Sequence, residues 1–210
     1  MIKGVIFDLD GTLLNSKALR IKAWKHAFQA FGVDLTEEEI APLIGMPGPD
    51  LAGKFSSKAF EIESEEERFF KMHLGEMALF GDVHNTFRVL SSINVRTSIV
   101  TSSRRAFLDI LNLPYGPVVT IDDVVFGKPD PEPYIKALSL LGVEPRESVV
   151  VGDAETDLIP ARDIGSVSVF IGHGNRKFSN YADYYIDEVS EVIPIVKRLN
   201  GLQAVRDSGA

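Results

Sequence analysis

Two kinds of hydrophobic pattern alternate along this chain. Short β-branched runs that end abruptly in polar residues predict strands, and stretches with apolar residues every three or four positions predict helices. The first run, residues 2–7, is almost uninterrupted and reads as a strand buried on both faces, the kind found in the middle of a parallel sheet. A helix is predicted over 17–31 from Ala18, Ile21, Ala23, Trp24, Ala27, Phe28 and Phe31, with Ser16 as its N-cap and Gly32 as its stop. Thr36-Glu37-Glu38-Glu39 is a capping-box start for a second helix. Residues 44–49 form a loop by composition, and a short helix follows over 51–55. Ser64-Glu65-Glu66-Glu67 opens a further helix reaching about residue 80, with the acidic patch over 61–67 as its solvated start.

From Asp82 the pattern changes. Helices are predicted over 83–93, 104–111, 131–141, 156–164 and 189–199, and strands over 97–101, 118–121, 147–151, 168–171 and 184–186. Alternating strands and helices imply an α/β fold with a parallel sheet and right-handed crossovers. The all-helical stretch 15–81 interrupts it, so residues 1–14 and 82–210 are predicted to form the core and 15–81 an inserted helical domain. Residues 203–210 are expected to fray.

The totals narrow the options. The 210 residues are 45% hydrophobic and 25% charged, an ordinary globular composition, and no apolar run approaches the length of a bilayer span. No cysteine is present, which rules out disulfides, thiol nucleophiles and thiolate metal sites. With no signal-peptide pattern, the cytoplasm is the expected compartment. A net charge of -8 argues against a nucleic-acid surface, and it means that an anionic substrate needs local positive charge.

Four stretches carry candidate chemistry. The first strand ends in Asp8-Leu9-Asp10-Gly11-Thr12. Carboxylates so close repel unless a divalent cation lies between them or one holds a proton. Either state suits a nucleophile beside an acid/base, although Asp and Gly also form ordinary turns. The strand over 97–101 ends in Thr101-Ser102-Ser103 just before a helix, a pattern that serves phosphate binding or simple N-capping. Lys128 stands between Gly127 and Pro129 and can neutralise Asp8 together with a phosphoryl oxygen, or be a solvated turn lysine. Residues 149–151 lead into Gly152-Asp153-Ala154-Glu155-Thr156-Asp157. Asp153 there can complete an oxygen site for a hard cation, with Asp157 one helical turn on.

These four stretches, in this order, resemble the four motifs of the haloacid dehalogenase superfamily over the chain from residue 2 to about 199. The resemblance implies a Rossmann-like three-layer core with sheet order 3-2-1-4-5 and the Asp8 strand at its centre. It identifies 15–81 with the helical cap of phosphoglycolate phosphatase-like and phosphoglucomutase-like members. By resemblance, Asp8 attacks phosphorus to form an aspartyl-phosphate, and Asp10 protonates the leaving alcohol and then activates water. Asp8, Asp153 and the main-chain carbonyl of Asp10 bind Mg²⁺ with support from Asp157, and Thr101, Ser102 and Lys128 hold the phosphoryl group. Gly45 and Met46 match the cap loop that faces the active site. The implied activity is hydrolysis of a small phosphomonoester, phosphoglycolate or a sugar phosphate, by a monomer or homodimer.

The remaining residues qualify this picture. Arg20 falls where mutase relatives carry a histidine, which weakens a sugar-phosphate mutase alternative; a non-catalytic binding module would not need both Asp8 and Asp10. Arg20, Lys54 and Arg68 are candidates to meet a second anionic group of the substrate, against a default of solvated helix residues. His26, His73, His84 and His173 lack ligand spacing, which argues against zinc. Trp24, Phe28 and Phe31 are expected in the core of the helical segment.

Overall fold

The computed structural model describes residues 1–111, 113, 115–174 and 179–201. The expectation for residues 203–210 falls outside them. Six strands form one sheet: β1 (Gly4–Phe7), β2 (Arg96–Val100), β3 (Val118–Val119), β4 (Ser148–Gly152), β5 (Val167–Ile171) and β6 (Tyr184–Ile186). The order is β3-β2-β1-β4-β5-β6, and every neighbouring pair is parallel. The expected 3-2-1-4-5 order holds, with β6 added beside β5.

Alternation along the strands divides the core between the two faces. Val5, Phe7, Ile99, Val149, Val151 and Val169 pack with Val83, Phe87 and Leu90 of α5 (Val83–Ser92), Phe107 of α6 (Arg105–Leu111) and Val192 and Val196 of α9 (Val192–Leu199). Ile6, Val100, Val119 and Val150 face the other way, onto Tyr134, Ala137 and Leu138 of α7 (Glu132–Leu141) and Ala161 of α8 (Glu155–Asp163). Central strands covered on both faces must be apolar throughout, which is why residues 4–7 show no alternation. Chain reversal on either side of β1, to β2 and to β4, opens a crevice at the carboxyl ends of these three strands.

Residues 17–72 contribute α1 (Lys17–Ala30), α2 (Glu37–Ile40), α3 (Gly48–Gly53) and α4 (Ala59–Met72). They have an apolar cluster of their own, including Trp24, Phe28, Ile40, Leu51 and Ile62. The capping box at Thr36 and Glu39 forms as predicted. Phe31, one residue past α1, is 36% exposed and does not join this cluster.

Two sequence expectations fail in α4. It starts at Ala59 and ends at Met72, because Ile62, Glu66 and Phe70 form one buried stripe that begins before Ser64. The acidic patch therefore runs from the first turn into the middle of the helix, and Glu63 and Glu66 are buried at 7% and 2% exposure. Ser16 precedes α1 but caps nothing; its hydroxyl donates to Asp10 instead. Among the described residues, no helix is long and apolar enough to cross a membrane.

Candidate active site

β1 delivers Asp8 to the crevice with its main-chain N–H still bonded to the Val151 carbonyl of β4. A tight turn follows: Gly11 has φ +86°, and Leu13 and Leu14 both donate back to the carbonyl of Leu9. Only glycine adopts that conformation freely. A Cβ at Gly11 would also stand 2.6 Å from Asp153 Oδ2, so the turn and the end of β4 approach as closely as they do because residue 11 has no side chain.

Lys128 lies beneath this turn, 2% exposed. Its ammonium donates to Asp8 Oδ1 (2.6 Å), Asp157 Oδ1 (2.6 Å) and the Val100 carbonyl (2.9 Å). All three protons of the ammonium are thereby used. Tyr134 donates to the same Asp157 oxygen at 2.7 Å. Burial alone would lower the lysine pKa, but Asp157 and Asp8 outweigh it and hold the charge in place. Burial raises Asp8 well above the ordinary carboxylate range, with Asp157 and Asp153 adding to the rise and Lys128 opposing it. Burial likewise raises Asp153, against the pull of Lys17, whose Nζ lies 2.5 Å from Asp153 Oδ2.

Asp8, Asp153 and Asp157 each offer a carboxylate oxygen within 4.8 Å of the others. An all-oxygen, all-anionic donor set fits a hard divalent cation such as Mg²⁺, and each carboxylate keeps a second oxygen besides the one a lysine holds. The Asp10 carboxylate is not part of this group. It accepts from Ser16 Oγ (2.7 Å) and Arg20 Nε (3.2 Å) on Oδ1 and from Ser103 Oγ (2.9 Å) on Oδ2. Burial pushes its pKa up, but Arg20 and these hydroxyls prevail and leave it below the ordinary value.

Arg20 is not the solvated helix residue that its sequence context suggests. From α1 it reaches Asp10, Ser103 (Nη2–Oγ 2.7 Å) and Glu66 (Nη1–Oε1 3.1 Å), with its guanidinium 3.5 Å from the ring centre of Phe70. The driving force is electrostatic: Asp10 and Glu66 provide two buried carboxylates for one cation. Burial pushes Glu66 up to about 7 despite Arg20. Lys54 and Arg68 are exposed, and Arg68 pairs with Glu65 on its own helix.

The turn after β2 touches the helical segment at three points. Ser102 Oγ donates to the Gly45 carbonyl (2.9 Å), Ser103 meets Arg20, and Arg104 pairs with Glu63 (2.9 Å) and Glu67 (3.0 Å) of α4. Thr101 is buried, with its Oγ1 accepting from the Ser103 N–H. Gly45, at φ +103°, presses the loop onto α8, where a Cβ would meet Thr156 Oγ1 at 2.9 Å. Together these contacts border a partly open cavity of about 70 Å³ lined by Asp8, Asp10, Asp153 and Thr101 on one side and Arg20, Trp24, Met46, Glu66 and Phe70 on the other. That is room for several waters or one small anion. Ser102 and Gly45 line it too, whereas Lys128 sits behind Asp8, off its wall.

Sequence reasoning assigned Ser16 only a capping role and Ser103 only a place in a hydroxyl run, and it assigned no site role to Lys17, Arg104, Tyr134, Glu63 or Glu66. Ser16 lies only six residues from Asp10, whereas the partners of Lys17, Arg104, Tyr134, Glu63 and Glu66 are recognisable only once distant segments meet.

Residues 5–171 match the family described as haloacid dehalogenase-like hydrolase. The pyrophosphatase PpaX of Bacillus mycoides (strain KBAB4) is 33% identical over 216 residues, covering 95% of this chain and 99% of its own. A hydrolase from Pseudomonas syringae has the same fold, with a TM-score of 0.86 at 24% identity over 95% of this chain and 99% of that one. CbbY from Rhodobacter sphaeroides, crystallised in complex with phosphate, has a TM-score of 0.76 at 22% identity over 91% and 96%. With the family match spanning most of its length and relatives this similar end to end, the chain belongs to the haloacid dehalogenase-like hydrolases.

Proposed function

We propose that the protein is a phosphatase of this family, acting on a small phosphorylated compound through an aspartyl-phosphate on Asp8, with 15–81 as the cap over the site. One observation carries the reading: Asp8, at the end of the central strand, is fixed from behind by Lys128 and faces a partly open cavity beside Asp10. In the first step an Asp8 oxygen bonds to phosphorus as the bond to the leaving oxygen breaks. In the second, water bonds to phosphorus, the Asp8–phosphorus link breaks, and Asp10 takes the water proton. Mg²⁺ held by Asp8, Asp153 and Asp157 would neutralise charge on the phosphoryl oxygens. Thr101 lines the wall as a donor, and the helical segment over the far wall limits the access of bulk water to the intermediate.

The substrate ranking rests on Asp10. Ser16, Arg20 and Ser103 together favour its carboxylate form, which suits accepting the proton of water. Phosphate leaving from pyrophosphate departs as an anion and needs no proton, whereas an alcohol needs one. The relatives named pyrophosphatase point the same way. We therefore rank pyrophosphate ahead of phosphoglycolate and sugar phosphates. The test is phosphate release from these three classes with and without Mg²⁺, beside Asp8→Asn. Metal-dependent release lost in Asp8→Asn is expected. Release that survives Asp8→Asn would overturn the mechanism, and no release from any of them would overturn the function.

A further inference from the structure

The least expected group at the cavity is Glu66, a carboxylate 2% exposed on the inner face of α4. Its position does not need a charge for packing. Apart from Glu63, which pairs with Arg104, the same stripe is apolar, with Ile62 and Phe70 fully buried, and α1 and α4 already share an apolar contact through Trp24, Phe28 and Ile62. A buried ion pair is weak evidence of stabilisation, because a well-packed apolar residue usually serves a fold as well or better. What Glu66 does have is one specific partner. Both its oxygens face Arg20 Nη1, at 3.1 and 3.5 Å.

That partner completes a closed ring around the catalytic carboxylate. Arg20 Nε bonds Asp10 Oδ1, Arg20 Nη2 bonds Ser103 Oγ, and Ser103 Oγ donates to Asp10 Oδ2. A planar guanidinium has its donors in fixed directions, so holding its third nitrogen sets the other two. Phe70 and Phe107, at 3.5 and 5.2 Å from the guanidinium, limit its tilt but not its rotation in plane. Glu66 supplies that remaining constraint. The other charged groups that act on Glu66 are Asp10, across the guanidinium, and Glu67, next in sequence.

We propose that Glu66 is a positioning residue: it fixes Arg20 and, through Arg20, the orientation of the Asp10 carboxylate. The role rests on the phosphatase reading above for its catalytic consequence. Arg20, Glu66 and Phe70 come from the helical segment, and Asp10, Ser103 and Phe107 from the core. Asp10 is therefore held in its working orientation only when the two are docked.

The test compares Glu66→Gln, which keeps shape, with Glu61→Gln, an exposed control on the same helix. At pH 8, with the substrate that the wild type cleaves best, kcat of Glu66→Gln falls about 10- to 100-fold, the effect of a small misplacement of a catalytic group. KM stays within about twofold, since Glu66 acts through another residue rather than on substrate. The melting temperature at pH 8 does not fall. Wild-type kinetics in Glu66→Gln, or a loss of kcat matched by a loss of melting temperature, overturns the role. A readout without turnover separates this from the phosphatase reading. The Arg20 Nε–H signal in NMR is sheltered by Asp10 in the wild type and exchanges rapidly in Glu66→Gln. If the wild type cleaves nothing but that change occurs, the function fails and the positioning stands; if the signal is unchanged, the positioning fails.

Discussion

Replacing Lys128 by Met keeps the volume of the side chain and removes its charge. The ammonium is the shared partner of two carboxylates, Asp8 and Asp157, both buried and each 2.6 Å away. Breaking a buried pair by removing one partner costs about 3–5 kcal/mol, because a charge is left uncompensated. A proton can take the place of the ammonium, and its cost depends on pH. Protonating a carboxylate of ordinary pKa costs about 1.4 kcal/mol for each pH unit above ~4, so about 2 kcal/mol at pH 5.5 and about 5 kcal/mol at pH 8. The cheaper route prevails at each pH. Lys128→Met therefore loses about 2 kcal/mol at pH 5.5 and about 4–5 kcal/mol at pH 8, a loss that most domains survive. Urea unfolding at the two pH values measures it. Adding Asp157→Asn to Lys128→Met removes one of the stranded carboxylates and recovers at least half of the loss at pH 8. A penalty below about 1 kcal/mol at pH 8, or the same penalty at both pH values, would refute the view that Lys128 neutralises the floor of the site.

Three further outcomes follow from the geometry. Gly11→Ala places a Cβ at φ +86° against Asp153 Oδ2, at about 1–2 kcal/mol of backbone strain plus displacement of a candidate metal ligand; unfolding and Mg²⁺ titration calorimetry should show lower stability and at least about tenfold weaker binding. Gly45→Ala meets Thr156 Oγ1 at 2.9 Å and strains the loop that Ser102 holds, so kcat/KM falls about tenfold or more while the unfolding midpoint of the core changes little. Burial raises Glu66 from 4.5 to about 7, so the native state holds this proton more tightly than the unfolded chain does. The resulting stability is fully present below about pH 4.5 and is lost as pH rises through 7, amounting to about 3 kcal/mol. Glu66→Gln escapes that loss, and its stability relative to wild type should rise between pH 5 and 8.

The floor of the candidate site was legible because strand ends are legible. Apolar runs stop at Asp8, Thr101 and Asp153, and in a parallel sheet with β1 between β2 and β4 those stops converge. Lys128 was readable only from its Gly-Pro surroundings and its resemblance to a motif; that its three protons are all engaged is a tertiary fact. The opposite wall was read poorly. Arg20, Glu63 and Glu66 lie on amphipathic helices, where charged residues usually face solvent, and their partners are remote: Glu66 is 46 residues from Arg20, and Arg104 is 41 from Glu63. No local pattern distinguishes a buried charge from a solvated one until the partner is known. The misplaced start of α4 has the same origin, since Ser64 followed by glutamates looks like a cap when the glutamates are taken to be exposed. Ser16 shows the converse, a good capping residue drawn instead to a buried carboxylate.

In the proposed reaction Asp8 carries the phosphoryl group. The most direct measurement is acid quenching of the enzyme during turnover of its best substrate with Mg²⁺, followed by digestion and mass spectrometry. A phosphoryl adduct is expected on the peptide containing Asp8, removed by hydroxylamine and absent from Asp8→Asn. Steady phosphate release with no adduct on that peptide, together with activity retained in Asp8→Asn, would contradict that reaction.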